Sequence, residues 1–129
     1  MKKLLLITAV ILFAISCKKT PQEPLGPTDI RVRNITTVNM TNVTVNTYDS
    51  TYNFGALNAG SVSDYHQFDR AYYKANISAT INGQKYKTDT AVYTYIHYLG
   101  QMKATYEIYV SNDAQKKLDI NVIPESALK

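Results

Sequence analysis

The chain is 129 residues long, with a formal charge of +4, eleven tyrosines, no tryptophan and one cysteine. That length holds one domain with its own core and is too short for two. A single thiol excludes a disulfide within the chain, and the dispersed charges leave no basic, aromatic-lined groove of the kind that nucleic acid requires.

Met1-Lys2-Lys3 precedes an apolar run of twelve residues, Leu4 to Ile15, followed by Ser16 and Cys17. Spanning a bilayer takes about 20 apolar residues. The run therefore reads as a secretory signal helix, and it ends in the small residues that a cleavage site needs. Ala14-Ile15-Ser16-Cys17 resembles the bacterial lipobox, departing from it at Ala14, where leucine is usual. The resemblance implies cleavage after Ser16, which leaves Cys17 as the first mature residue, with a diacylglyceryl thioether and an acylated amine. No cofactor is expected beyond this covalent lipid. Each buried CH₂ contributes about 0.8 kcal/mol, so one acyl chain holds marginally and two or three hold firmly. Lys18-Lys19-Thr20 lacks both the aspartate that retains lipoproteins in the inner membrane and the acidic cluster that sends some to the cell surface. By the same resemblance, the expected address is the outer membrane, facing the periplasm.

Without residues 1–16 the charge falls to twelve Lys and Arg against ten Asp and Glu, a mixed and solvated surface. Residues 17–28 form a tether in which Pro21, Pro24 and Pro27 recur every third position. That spacing suits a polyproline II spacer of about 3.1 Å per residue. Residues 29–129 form the single folded domain.

From Asp29 onward, short alternating strands are separated by turn residues. Ile30 and Val32 oppose Arg31 and Arg33, and the parity shifts at Asn34-Ile35, which marks a bulge or strand break. Val43, Val45 and Thr47 share a face; Tyr48-Asp49-Ser50 turns, Thr51 to Leu57 returns, and Asn58 to Ser61 turns again. Tyr73, Ala75, Ile77, Ala79 and Ile81 alternate with polar residues up to Asn82-Gly83. That dipeptide accepts positive φ at both central positions of a type I′ hairpin turn. Ala91 to Leu99 reads as a further strand, then Tyr106, Ile108 and Val110, then Leu118, Ile120 and Val122 before Pro124. Seven or eight strands at this spacing predict an all-β, antiparallel β-sandwich.

Phe54-Gly55-Ala56-Leu57-Asn58-Ala59-Gly60-Ser61-Val62-Ser63-Asp64-Tyr65, with Phe68, Ala71-Tyr72 and Asn82 to Tyr86, is similar to small all-β lipoproteins of diderm bacteria. The resemblance implies an immunoglobulin-like or prealbumin-like sandwich and carries over no catalytic residue.

Candidate chemistry is sparse. Gly-x-Ser-x-Gly, phosphate-binding loops and dinucleotide fingerprints are missing from the sequence. Asp64-x-His66-x-x-Asp69 would put a carboxylate and an imidazole on one strand face. A closed metal site wants three or four ligands, and His97 lies in another strand unless a sheet brings the two histidines face to face. The simpler expectation is that Asp64 caps the turn after Gly60 and His66 is a half-exposed strand residue. Tyrosine is the stronger signal. Tyr93, Tyr95 and His97 would share one strand face, and Tyr72 would add to them. A flat apolar ring with a polar tip suits sugar stacking or a protein interface. Most tyrosines are expected to pack in or beside the core, with one cluster left exposed.

The expected function is a non-enzymatic, membrane-anchored binding or accessory module for an envelope protein or polymer. The alternative is a sugar or small-molecule carrier subunit of a glycan-uptake or envelope-assembly complex. A metal-dependent hydrolase using Asp64, His66 and His97 ranks third.

Overall fold

The computed structural model describes residues 26–127. The signal segment, Ser16, Cys17 and the tether up to Leu25 lie outside the described residues. Eight strands account for most of the remainder: β1 (Thr28–Asn34), β2 (Met40–Asn46), β3 (Thr51–Leu57), β4 (His66–Phe68), β5 (Asn76–Ile81), β6 (Gln84–Lys87), β7 (Met102–Asn112) and β8 (Lys117–Ala127). The all-β class and the eight strands are as the alternating pattern predicts.

The strands form one continuous sheet in the order β3-β2-β5-β6-β8-β7-β1-β4, curled until it is nearly a barrel. The facing layers of the expected sandwich are therefore the two halves of one sheet. Most pairings are antiparallel, but β1 runs parallel to β7 from Asp29↔Lys103 to Asn34↔Ile108, and β6 meets β8 in parallel at Lys87↔Lys117. An alternating pattern says which face is buried and nothing about which strand lies alongside, or in which direction.

Period-two alternation builds the core directly. Thr28, Ile30, Val32 and Asn34 all point inward from β1, joined by Val43, Val45, Ile77, Ala79, Tyr106 and Ile108, each no more than 2% exposed. Burial of each large aliphatic or aromatic side chain contributes about 1.5–3 kcal/mol. Between β2 and β3 the register shifts around Val43, beside Asn42 at φ 49° and opposite Gly55 at φ 79°. Such a bulge bends and twists its strands, which suits the swing of β3 toward the other edge of the sheet. There Tyr52 stacks on His66 with ring centres 3.6 Å apart and planes 10° from parallel, while Phe54 and His66 pack on Phe68.

Asn34 ties the same seam from within. It is fully buried, and its amide donates to Val38 O (2.7 Å) and Leu57 O (3.0 Å), while its carbonyl accepts from the Thr36 amide and hydroxyl. β1 ends at this residue, at the shift in parity visible in the sequence.

The hairpin at Asn82-Gly83 forms as expected, with φ of 49° and 76° at its two central residues. Three boundaries depart from expectation. β1 begins at Thr28, a fully buried residue that the sequence pattern assigns to the tether. The strand containing Ile77 begins at Asn76, leaving Tyr73 exposed in a loop, and β8 continues through Pro124 to Ala127. The register slips between the Lys103↔Ser126 and Ala104↔Pro124 pairs, and a bulge is one of the few places where a strand tolerates proline.

Candidate functional site

Alternating strand directions place three connections at one end of the barrel: the turn 47–50, the loop 69–75 and the long segment 88–101. The opposite end carries 35–39, 58–65, the Asn82-Gly83 turn and 113–116. Six tyrosines belong to the first end, and four of them form a contiguous cluster.

Hydrogen bonds within and between the connections hold them in place. Thr47 N donates to Ser50 O at 2.9 Å, which projects Tyr48 and Asp49 from a tight turn. Leu99 N donates to Ala71 O (2.8 Å) and Tyr73 N to His97 O (3.2 Å), which lays the segment 97–99 against 71–73 with a bridge at Tyr72↔Tyr98. Ala91 N donates to the Asn76 side chain at 2.8 Å.

The expected strand Ala91–Leu99 is absent. Tyr93–Tyr95 is a 3-10 turn, with Ile96 N bonded to Tyr93 O, and an extended stretch follows only from Ile96. Strand preference depends on neighbours to pack against, and here tertiary packing dictates the conformation: the Tyr93 ring turns in to meet Tyr48 and Tyr72, and its hydroxyl donates to Asn46 O. Tyr93 and His97 are thus not successive residues of one strand face. His97 is exposed, and the Tyr95 side chain lies outside the described residues.

Tyr72 is the hub. Its ring centre lies 4.9 Å from that of Tyr93, 5.4 Å from Tyr98 and 6.4 Å from Tyr48, and Tyr48 meets Tyr93 edge-on at 5.7 Å. Tilted and edge-to-face pairs of this kind contribute about 0.5–1.5 kcal/mol each beyond their buried area. Beneath the cluster, the fully buried Tyr106 donates its hydroxyl to Tyr72 O at 2.6 Å. Tyr98 donates to Gly26 O (3.0 Å) and Asp69 O (3.3 Å). Arg70 lies 5.8 Å above the Tyr48 ring, with its Nε 3.7 Å from an Asp49 carboxylate oxygen.

Burial raises the phenol pKa of Tyr93, Tyr98 and, most strongly, Tyr106. These hydroxyls stay protonated at neutral pH and act as hydrogen-bond donors. The cluster offers flat apolar surface, neutral hydroxyls and one Arg–Asp pair, which suits stacking and hydrogen bonding.

Of the residues singled out in the sequence, Tyr72 and Tyr93 come together and His97 sits on the same end. Tyr48, Tyr98, Arg70 and Asp49 were not anticipated as site residues. The available signal was a tyrosine at the tip of a predicted turn, a place where no core function is possible.

The other candidates separate. The His66 ring faces Tyr52 of β3 and packs on Phe68, so the two histidines do not confront each other across a sheet. Among the described residues, no group of three or more His, Cys, Asp and Glu is placed to hold a metal ion. The turn after Gly60 is closed by Ser61 N donating to Asn58 O, and Ser63 rather than Asp64 uses its side chain there, accepting from Val32 N. Asp64 is exposed, as a solvated carboxylate beside a self-sufficient turn would be.

Beside the tyrosine end, where the sheet opens between β6 and β8, a cleft of about 320 Å³ is lined by Lys74, Asp89, Val92, Ile96 and Asp119, among others. Lys117 reaches Asp89 at 2.7 Å, and its hydrogen bond and charge hold that carboxyl below the usual range.

Comparison of the chain with family models, with curated proteins and with solved structures gave no match.

Proposed function

We propose that this chain is a lipid-anchored, non-enzymatic module of the bacterial outer membrane that binds another envelope component through its tyrosine-bearing end. The carrying observation is the cluster Tyr48, Tyr72, Tyr93 and Tyr98, assembled from three separate connections at one end of the barrel. Aromatic rings held by a rigid scaffold provide contact area at low conformational cost, which is why tyrosine is enriched at binding surfaces. The anchor rests on Cys17 and the segment before it.

Crosslinking in intact cells tests the reading. The wild-type chain is expected to yield a defined envelope adduct that a Tyr48→Ala/Tyr93→Ala chain loses. An adduct unchanged by both substitutions removes the tyrosine end from the proposal. A Cys17→Ala chain that still fractionates with membranes removes the anchor.

A second reading, a carrier of a sugar or small molecule, is favoured by the cleft between Asp89 and Asp119. Its volume lies at the lower end of the range for ligand sites, about 300–1,000 Å³. Absence of binding across a glycan array would count against it.

A further inference from the structure

The end of the barrel that carries the tyrosines is also the end at which the chain enters the domain. Gly26, the first described residue, gives its carbonyl to the Tyr98 hydroxyl at 3.0 Å and packs against Gln101, and Thr28 donates to Gly100 O. We infer that this end rests on the lipid bilayer, with Tyr48, Tyr73 and Val92 seated in the interfacial layer between headgroups and acyl chains. This deepens the proposed function and rests on its lipid anchor at Cys17, naming the bilayer itself as the envelope component that the tyrosine end meets.

Chain length supports this orientation. Eight residues separate Cys17 from Gly26. Their nine Cα steps span at most about 30 Å when extended. The barrel is nearly as tall: the ten Cα steps of the eleven-residue β7 rise roughly 33 Å along the strand, or about 25 Å if the strand is tilted as in a barrel. To bring the Asn82-Gly83 end to the bilayer, the leash would have to run back along the whole barrel and use nearly its full length. To bring the tyrosine end down, it need not extend at all.

Side-chain chemistry agrees. Val92 (65% exposed) and Tyr48 (58%) are the two most exposed large apolar side chains among the described residues, and Tyr73 (43%) is exposed at the same end. Tyrosine concentrates at membrane–water interfaces because its ring is apolar and its hydroxyl stays wet. The charges around the patch nearly cancel, Arg70 and Lys74 against Asp49, Asp69 and Asp89, the last of these paired with Lys117. Attraction to anionic headgroups is thus not the driving force, and the contact should be insensitive to salt. The contact would add a second, weaker hold to the acyl chains and fix the barrel's orientation.

Because the chain contains no tryptophan, one can be introduced as a depth probe. The intact lipidated chain would carry Tyr48→Trp or, at the opposite end, the exposed Ile35→Trp, in phosphatidylethanolamine/phosphatidylglycerol vesicles containing a lipid spin-labelled near the headgroup. Tyr48→Trp fluorescence is expected to be quenched several-fold more than that of Ile35→Trp, equally at 50 mM and 500 mM salt. In the wild-type chain, vesicles should protect Tyr48 and Tyr73 from hydroxyl-radical oxidation. Vesicle-bound protein with equal quenching at the two ends and no protection overturns the inference while leaving the anchor intact, and hands the tyrosine end to a protein or polymer partner. Failure of the processed wild-type chain to associate with vesicles overturns the anchor reading beneath it.

Discussion

Tyr106→Phe removes one oxygen from the centre of the molecule and tests how the tyrosine end is supported. Tyr106 is fully buried in β7, and its hydroxyl donates to Tyr72 O at 2.6 Å, joining the core to the hub of the cluster. Phenylalanine keeps the ring and its packing, so no large cavity term arises. The loss is the net value of one hydrogen bond, about 0.5–1.5 kcal/mol, plus part of the cost of an unsatisfied carbonyl, about 1–3 kcal/mol. The bond is only part-buried, so water recovers some of that second cost, and about 1–2 kcal/mol in all is expected. For a domain of about 100 residues this lowers Tm by roughly 5–15 °C, readable by circular dichroism. The loss should also be local: the amides of Tyr73 and Leu99, which bond to His97 O and Ala71 O, should exchange faster, while those of the Asn82-Gly83 hairpin should not. A Tm change under 2 °C with unaltered exchange at Tyr73 and Leu99 would refute the idea that Tyr106 holds the cluster in place.

Asn34→Ala should cost about 2–4 kcal/mol, because it strands the Leu57 carbonyl and unties both Val38 and Thr36 at the seam; urea unfolding measures it, and a loss below 1 kcal/mol would make the Asn34 tie dispensable. Gly83→Ala should cost about 1–2 kcal/mol from backbone strain alone, since Gly83 sits at φ 76° with open space where a Cβ would go; a neutral result would mean that the turn relaxes to another type. Glu125 gives a pH dependence. Burial would raise its carboxyl pKa, but hydrogen bonds from Tyr65, Thr105 and Arg31, with the Arg31 charge, outweigh burial and leave it below its ordinary 4.5. A folded pKa below the unfolded one contributes stability that is fully present above the unfolded value and lost as pH falls through the folded value. Wild type should therefore lose Tm between about pH 5 and pH 2 more steeply than Glu125→Gln, and parallel curves would show that the network is inert.

Some of this was legible residue by residue. Alternation in Ile30-Arg31-Val32-Arg33 and in Ala75–Ile81 identifies inward faces because adjacent strand side chains must point to opposite sides. Asn82-Gly83 defines its own turn through local backbone sterics. The segment Ala91–Leu99 was not legible, because its apolar and aromatic content suits a strand or a packed loop equally well. The choice fell to the Tyr48 and Tyr72 rings, which lie more than twenty residues away or on a separate connection.

The division follows the range of the forces involved. Local and period-two information, carried in neighbouring residues, is enough to determine an all-β chain of short strands, its turns and its buried faces. It also supports the expectation of a lipid-bearing Cys17 on a proline-spaced leash. Which strands lie side by side, that two of the pairings are parallel, and that the sheet curls on itself depend on contacts between residues far apart in the chain. The tyrosine end depends on them as well: the turn 47–50, the loop 69–75 and the segment 88–101 become one surface only when β2, β4, β5, β6 and β7 are in place. Tertiary structure alone also decided that Gly26 meets that surface through Tyr98.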